Sequence, residues 1–288
     1  ALHSLAAVSD PTSVNGEVPG IFASFFGPDP INLLGVVLLT SLGTWGLPQM
    51  VQKFYAIKSE DSIHKGTIIS TLFALVVAGG CYFLGGFGRL FSDKVDIAAD
   101  GYDAIIPAML SDLPDILIAI VVILVLSASM STLSSLVIAS SSTLTIDLLR
   151  GNIVKKMTDF EAVFIIRCFV VVFVVISIVQ YKFSISFIAQ LMGVSWGALA
   201  GAFLAPFLYG LYWKKTTKAA CWVSFLFGAG IMTLNLISNA TGAFAFPTLL
   251  QSSINCGAFA MLAGLVIVPV VSLFTRKPDK AMVEEAFA

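Results

Sequence analysis

Charge is what this sequence has least of. Only 11% of its 288 residues are charged, 16 Lys and Arg against 17 Asp and Glu, while 58% are hydrophobic. A soluble domain carries about 25% charged residues, so the composition excludes an ordinary water-soluble core. The formal net charge of −1 gives no reason to expect nucleic acid or an acidic partner, because binding a phosphate backbone needs a basic surface. Histidine is nearly absent: His3 sits in the opening stretch and His64 among Lys58, Glu60, Asp61 and Lys65, neither in a metal-ligand spacing. Cys81, Cys168, Cys221 and Cys256 stand singly inside apolar stretches, which excludes a disulfide framework or a zinc site and makes them small core residues. No nucleophile beside a base, no paired carboxylates in an apolar stretch and no phosphate-cradling loop can be found, so catalysis has no site and an enzyme is not expected. The chain opens at Ala1 without a basic, signal-like segment, and a preceding segment is expected.

What is abundant is long apolar sequence. A helix needs about 20 apolar residues to cross about 30 Å of hydrocarbon, and seven stretches qualify: 31–55, 66–87, 115–146, 160–180, 184–211, 218–239 and 253–274. Residues 1–30, with Pro11, Pro19, Pro28 and Pro30, read as an irregular extracellular loop. Residues 276–288 read as a cytoplasmic tail. Lys and Arg accumulate on the cytoplasmic side of a membrane. With the N-terminus outside, the inner loops hold Lys53, Lys58, Lys65, Arg150, Lys155, Lys156, Lys214, Lys215, Lys218, Arg276, Lys277 and Lys280, against Arg89, Lys94 and Lys182 outside. The expected topology is therefore N-terminus out and C-terminus in, in the plasma (inner) membrane. The outer loop 88–114 carries Asp93, Asp96, Asp100, Asp103 and Asp112 with a short helix near 102–110. It reads as a lid or as a solvated acidic connector. No internal repeat is visible.

Two clusters interrupt the apolar pattern. In the third span, Ala128–Ser135 reads ASMSTLSS. Ala128, Ser131, Thr132 and Ser135 fall at i, i+3, i+4 and i+7 and share one helix face, with Ser134 at its edge. Neutral oxygens on one face can hold a small hard cation. They can equally bond back to their own carbonyls and let helices pack closely, and spacing leaves both readings open. Ser140–Thr143, near the cytoplasmic end, are expected to be satisfied by water, and Asp147 to be a solvated terminus. In the first span, Gly43, Gly46 and Pro48 bracket GTWGLP. Proline removes an amide donor and disfavours helix at the residue before it, so this helix is expected to break or bend. A broken span is tolerated where freed backbone groups face protein or a watery cavity. Thr40, Thr44, Trp45 and Gln49 are the side chains placed to meet a solute there.

Three motifs carry a family resemblance: GTWGLPQMVQKFYAIK at 43–58, ASMSTLSSLVIASSS at 128–142 followed by TIDLLRG, and SWGALAGAFLAPFLYGLYWKKTTK at 195–218. In this order they resemble the sodium:solute symporter family. The resemblance implies an all-α membrane protein of the leucine-transporter-type inverted-repeat fold. Residues 31–211 would be its five-helix second repeat and 212–275 two accessory transmembrane helices, with the first repeat supplied by N-terminal helices of the same transporter. It implies Na+ as coupling ion. The Ala128 carbonyl with the Ser131 and Thr132 hydroxyls would form half of the conserved sodium site, and Ser131, Ser134 and Ser135 match a second sodium site of some members. Where the family's proline transporters carry aromatic residues, this chain has Thr40 and Thr44, which weighs against proline itself.

The function implied is import of a small polar organic solute, such as a sugar, amino acid or carboxylate, across the lipid bilayer in symport with sodium by alternating access. A transporter-like sensory module that reports solute binding to a signalling domain is the rival from another class. A purely structural helical subunit is a third.

Overall fold

The computed structural model describes residues 2–8, 20–54, 57–96, 100–182 and 188–287. Part of the expected loop 1–30 and residues 184–187 of the fifth expected span lie outside them. The chain is helical throughout the described residues: α1 (Leu2–Ala6), α2 (Pro30–Ser41), α3 (Pro48–Phe54), α4 (Glu60–Gly86), α5 (Ile105–Leu110), α6 (Asp115–Ser142), α7 (Asp159–Lys182), α8 (Ile188–Tyr212), α9 (Lys218–Thr241), α10 (Thr248–Gln251), α11 (Ser253–Phe274) and α12 (Lys280–Ala286). Among the described residues six helices are long and apolar enough to cross a membrane: α4, α6, α7, α8, α9 and α11. The stretch expected as the first of seven spans is instead α2, a 3-10 turn over Gly43–Gly46, and α3, so the break is observed and no single helix crosses there. Elsewhere the expected limits agree within two residues at most ends. The second span differs, because α4 starts at Glu60, where acidic residues favour a helix N-terminus.

Local chemistry sets these limits. Pro30 opens α2 at a position needing no amide donor, and Asp29 accepts from the Asn32 amide at 3.0 Å. Thr158 and Glu161 form a reciprocal cap at the start of α7: the Glu161 carboxylate accepts from the Thr158 amide at 2.8 Å, and the Thr158 hydroxyl from the Glu161 amide at 3.3 Å. Thr217 caps α9 through the Ala220 amide, and α9 ends on Gly242, whose φ of 64° suits glycine.

The chain divides into two compact units, residues 1–103 with 186–288 and residues 104–185. In the first, α8, α9 and α11 pack mutually. The contact depends on absent side chains: a Cβ on Gly197 would lie 2.6 Å from the Cα of Gly257, and one on Gly201 2.9 Å from the Ala260 Cβ. Such small residues let backbones approach in a membrane, where hydrophobicity drives no association between helices. The cluster of Leu39, Ala200, Leu204 and Met261, with Trp196 and Ile254 against it, docks α2 on this bundle. At the start of α11, fully buried Asn235 donates to the Leu250 carbonyl at 2.8 Å and accepts from the Ser253 hydroxyl at 3.0 Å. That satisfies carbonyls at the short helix α10, as a non-aqueous site requires.

In the second unit α6 runs into a π-helical turn, Thr143–Ile153, and α7 packs back on it. Ser141 and Thr145 are buried and donate to the Val137 and Ser141 carbonyls at 2.7 and 2.8 Å. Ser141 is thus satisfied by its own helix rather than by water, because its face turns inward with Val137. Asp147 is exposed within the π-helical turn. Arg150 and Asp159 pair at 2.8 Å across this turn; at such exposure a pair contributes about 0–1 kcal/mol.

Replacing Gly197 by Val should destabilise the first unit by about 1–3 kcal/mol through overpacking. Gly230→Ala, where the added carbon meets open space, should be neutral or stabilise by up to about 1 kcal/mol. Unfolding midpoints in detergent compare the two, and equal midpoints would refute the close-packing account.

Candidate functional site

The interrupted span belongs to the first unit. Leu47 is extended, with φ −85° and ψ 113°, where the residue before Pro48 is forced out of helix. Gly46 lies against α8 so tightly that a Cβ would sit 2.8 Å from the Leu204 Cβ and 2.9 Å from its amide nitrogen. The turn is therefore pinned to α8 at one face. Of the four expected solute residues, Thr40 and Thr44 are half-buried and donate to the Val36 and Ser41 carbonyls at 2.8 and 2.9 Å. Both hydroxyls keep lone pairs for an outside donor. Gln49 is half-buried, and its amide has no partner among the described residues. Trp45 is 57% exposed.

Trp45 does meet something that sequence reading passed over. It forms one wall of a hollow of about 1090 Å3 whose other wall is Ile57, Lys58 and Ser59 with the first half of α4, including Ser62, Thr67, Ser70 and Thr71. Ser62, Gly66, Thr67, Ser70 and Thr71 recur at helical spacing on one face of an otherwise apolar span. That period was readable in the sequence; its pairing with Trp45 was not, because the two lie in different elements. Ser59 and Ser62 bond to each other at 2.8 Å, and Thr67 donates to the Ile63 carbonyl at 2.8 Å. A polar wall facing an aromatic one suits a small solute with both polar and apolar parts.

The hydroxyl face of α6 belongs to the second unit. Ser131 donates to the Ala128 carbonyl at 3.0 Å, Ser134 to Met130 at 2.7 Å and Ser135 to Thr132 at 2.8 Å. The back-bonding alternative is thus realised for the three serines, whereas the Thr132 hydroxyl has no partner among the described residues. Back-bonding does not exclude a cation: a hydroxyl that donates to its own chain still presents lone pairs outward. Ala128, Ser131, Thr132, Ser134 and Ser135 all lie exposed along α6. Among the described residues no group of three His, Cys, Asp or Glu could hold a metal ion. The donors on offer are neutral oxygens, which fit a hard cation and not a transition metal. Asp103, expected in the outer acidic loop, accepts from the Ile188 amide at 3.1 Å and so caps the start of α8.

These features define an all-helical, multi-pass membrane protein with one interrupted helix and polar faces buried in apolar sequence. The model of the sodium:solute symporter family matches residues 23–228, and the chain belongs to that family. The family is one of symporters, not of enzymes, and its members are multi-pass proteins of the plasma membrane. Relatives include the osmoregulated proline transporter OpuE of Bacillus subtilis (strain 168), 28% identical over 91% of this chain and 52% of its own length. A sodium/proline symporter of Haemophilus influenzae is 26% identical over 93% of this chain and 52% of its own length. The high-affinity proline transporter PutP of Bacillus subtilis (strain 168) is 25% identical over 98% and 58%. The chain spans about half the length of the curated relatives it matches. No solved structure matches it.

If the Trp45 hollow is watery, Ser62→Cys, Thr67→Cys and Ser70→Cys, made in a background lacking the four native thiols, should react with a membrane-impermeant maleimide on the order of tenfold faster than Ile68→Cys, since thiols in apolar surroundings are poorly ionised. Equal rates would remove the hollow from consideration as a solute path.

Proposed function

We propose that this chain takes part in sodium-coupled import of a small polar organic solute by alternating access. The observation that carries the reading is the span broken at Gly43–Pro48, with Trp45 and the hydroxyl face of α4 at the break, in a chain of this family. The solute contacts Thr40, Thr44, Trp45 and Gln49. The named relatives make proline the first solute to test. Thr40 and Thr44 add hydroxyls where an apolar ring would want aromatic walls, and so favour a solute with more hydrogen-bonding groups than proline.

Sodium is held by the Ala128 carbonyl and the Ser131 and Thr132 hydroxyls, with Ser134 and Ser135 available to a second ion. Oxygens from one helix face cover only one side of an ion that takes about six or more ligands. The remainder comes from a segment equivalent to the other half of the relatives. The Lys and Arg distribution supports an outside N-terminus and an inside C-terminus for the chain. Coupling follows if sodium and solute favour the same closed state, because a ligand that binds all states equally shifts nothing.

The test is uptake of labelled proline, and of competing amino acids, sugars and carboxylates, into vesicles holding this chain joined to the upstream half of the Haemophilus influenzae relative. Uptake should need an inward sodium gradient and be absent with this chain alone. Ser131→Ala with Thr132→Ala should raise the sodium concentration for half-maximal uptake about thirtyfold, since each lost oxygen ligand costs about 1 kcal/mol. Uptake with unaltered sodium dependence in the double variant would sink the ion assignment, and uptake without a gradient the coupling.

A further inference from the structure

Helices α8 and α9 leave between them a groove of about 290 Å3, lined by Ala202, Phe203 and Pro206 on one side and Cys221, Trp222 and Phe225 on the other, with Lys218 at the end nearest the connecting turn. Phe203 and Trp222 both meet Phe225 edge to face, at 5.5 and 5.8 Å. The walls are otherwise apolar. The connecting turn carries Lys214 and Lys215, which line the neighbouring hollow rather than this groove; the Lys214 ammonium lies over the Phe287 ring at 5.2 Å, and none of the three lysines pairs with a carboxylate among the described residues. A second hollow at this end, of about 410 Å3, brings Lys214 and Lys215 together with Lys277 and Glu284, three cations to one anion. Tyr212 and Trp213 flank the turn, the residue types that mark a membrane–water interface. Tyr209 is anchored by its hydroxyl to the Leu265 carbonyl at 2.8 Å.

We propose that this groove binds one anionic phospholipid, its phosphate held by Lys218 at the groove's end and approached by Lys214 and Lys215 of the adjoining turn, with an acyl chain laid along Phe203, Trp222 and Phe225. Basic clusters at the ends of membrane helices attract anionic headgroups. Charge and length select this occupant. From Lys218 to Phe225 the groove runs two helical turns, about 10 Å, which is short for a packed helix and enough for the first part of an acyl chain below its headgroup. An uncharged headgroup would leave the lysines without a counter-ion. The groove uses Ala202, Phe203 and Pro206, whereas Ala200 and Leu204 of the same helix meet the Gly46 turn. A lipid seated there braces α8 from a different flank. The proposal does not depend on the solute or on sodium.

The experiment is native mass spectrometry and thermal unfolding of the full chain in detergent, with dioleoyl phosphatidylglycerol or dioleoyl phosphatidylcholine added. One phosphatidylglycerol should be retained per chain and raise the unfolding midpoint, with phosphatidylcholine markedly weaker. Changing Lys214, Lys215 and Lys218 to Gln one at a time should weaken phosphatidylglycerol about fivefold each, and about 0.5 M salt, by screening, should erase the preference in the unaltered chain. Cys221→Trp, which fills the groove, should displace the lipid while leaving the lysines in place. Glycerol 3-phosphate alone should not protect. Equal retention of the two lipids, a preference that survives both the triple Lys→Gln variant and high salt, or full protection by glycerol 3-phosphate would each overturn the proposal. The salt titration needs no variant, so a misfolded mutant leaves the test intact.

Discussion

An amide in hydrocarbon has no water to turn to, and each one left unpaired costs several kcal/mol. Every organised part of this chain answers that constraint. The long spans satisfy it internally. The interrupted span cannot, and so its turn is held against α8, with Gly46 in contact with Leu204 and Ala200. Its ends are tied by Asp29 at one side and by the extended residue before Pro48 at the other. A break that would be costly in lipid is stable where protein covers it.

The same constraint explains why glycine, not leucine, organises the bundle. Lipid tails are as apolar as side chains, so burying leucine between helices gains little over leaving it in lipid. Close approach gains dispersion contact and Cα–H contacts instead, and Gly197 against Gly257 and Gly201 against Ala260 bring α8 and α11 to that distance. The bundle is therefore the rigid frame of the first unit, and the interrupted helix is the irregular element mounted on it. That arrangement matches a division between scaffold and binding element, with Thr44 and Trp45, two of the proposed solute residues, on the irregular part.

Apart from Ser224 and Asn255, whose buried oxygens have no hydrogen-bond partner among the described residues, polar groups inside the spans fall into two kinds. Asn235 and Ser253 are buried and fully engaged, and they hold a short connection in place. Ser131, Ser134 and Ser135 of α6 and Thr67 of α4 are exposed along their helices, with donors turned onto their own carbonyls and acceptor lone pairs outward. Groups of the first kind are committed to the fold. Groups of the second kind retain coordinating capacity, and in apolar surroundings that capacity carries a cost unless a ligand, water or another helix meets it.

Membrane location, helix count to within one, most helix limits and the break near Pro48 were legible in the residues themselves. Each depends on local quantities: apolar length, capping groups and the steric demands of proline. Six unbroken helices reach spanning length among the described residues, and the seventh expected span is the one divided at Gly43–Pro48, as its glycines and proline implied. The burial of Ser141, the meeting of Trp45 with the Ser62–Thr71 face, and the groove beside Lys218 could not be read in this way. They depend on which helix faces which, and in a bilayer hydrophobic patterning does not choose partners, since an apolar face is equally at home against lipid or protein. Steric fit of small residues makes that choice, and it exists only once the helices are packed.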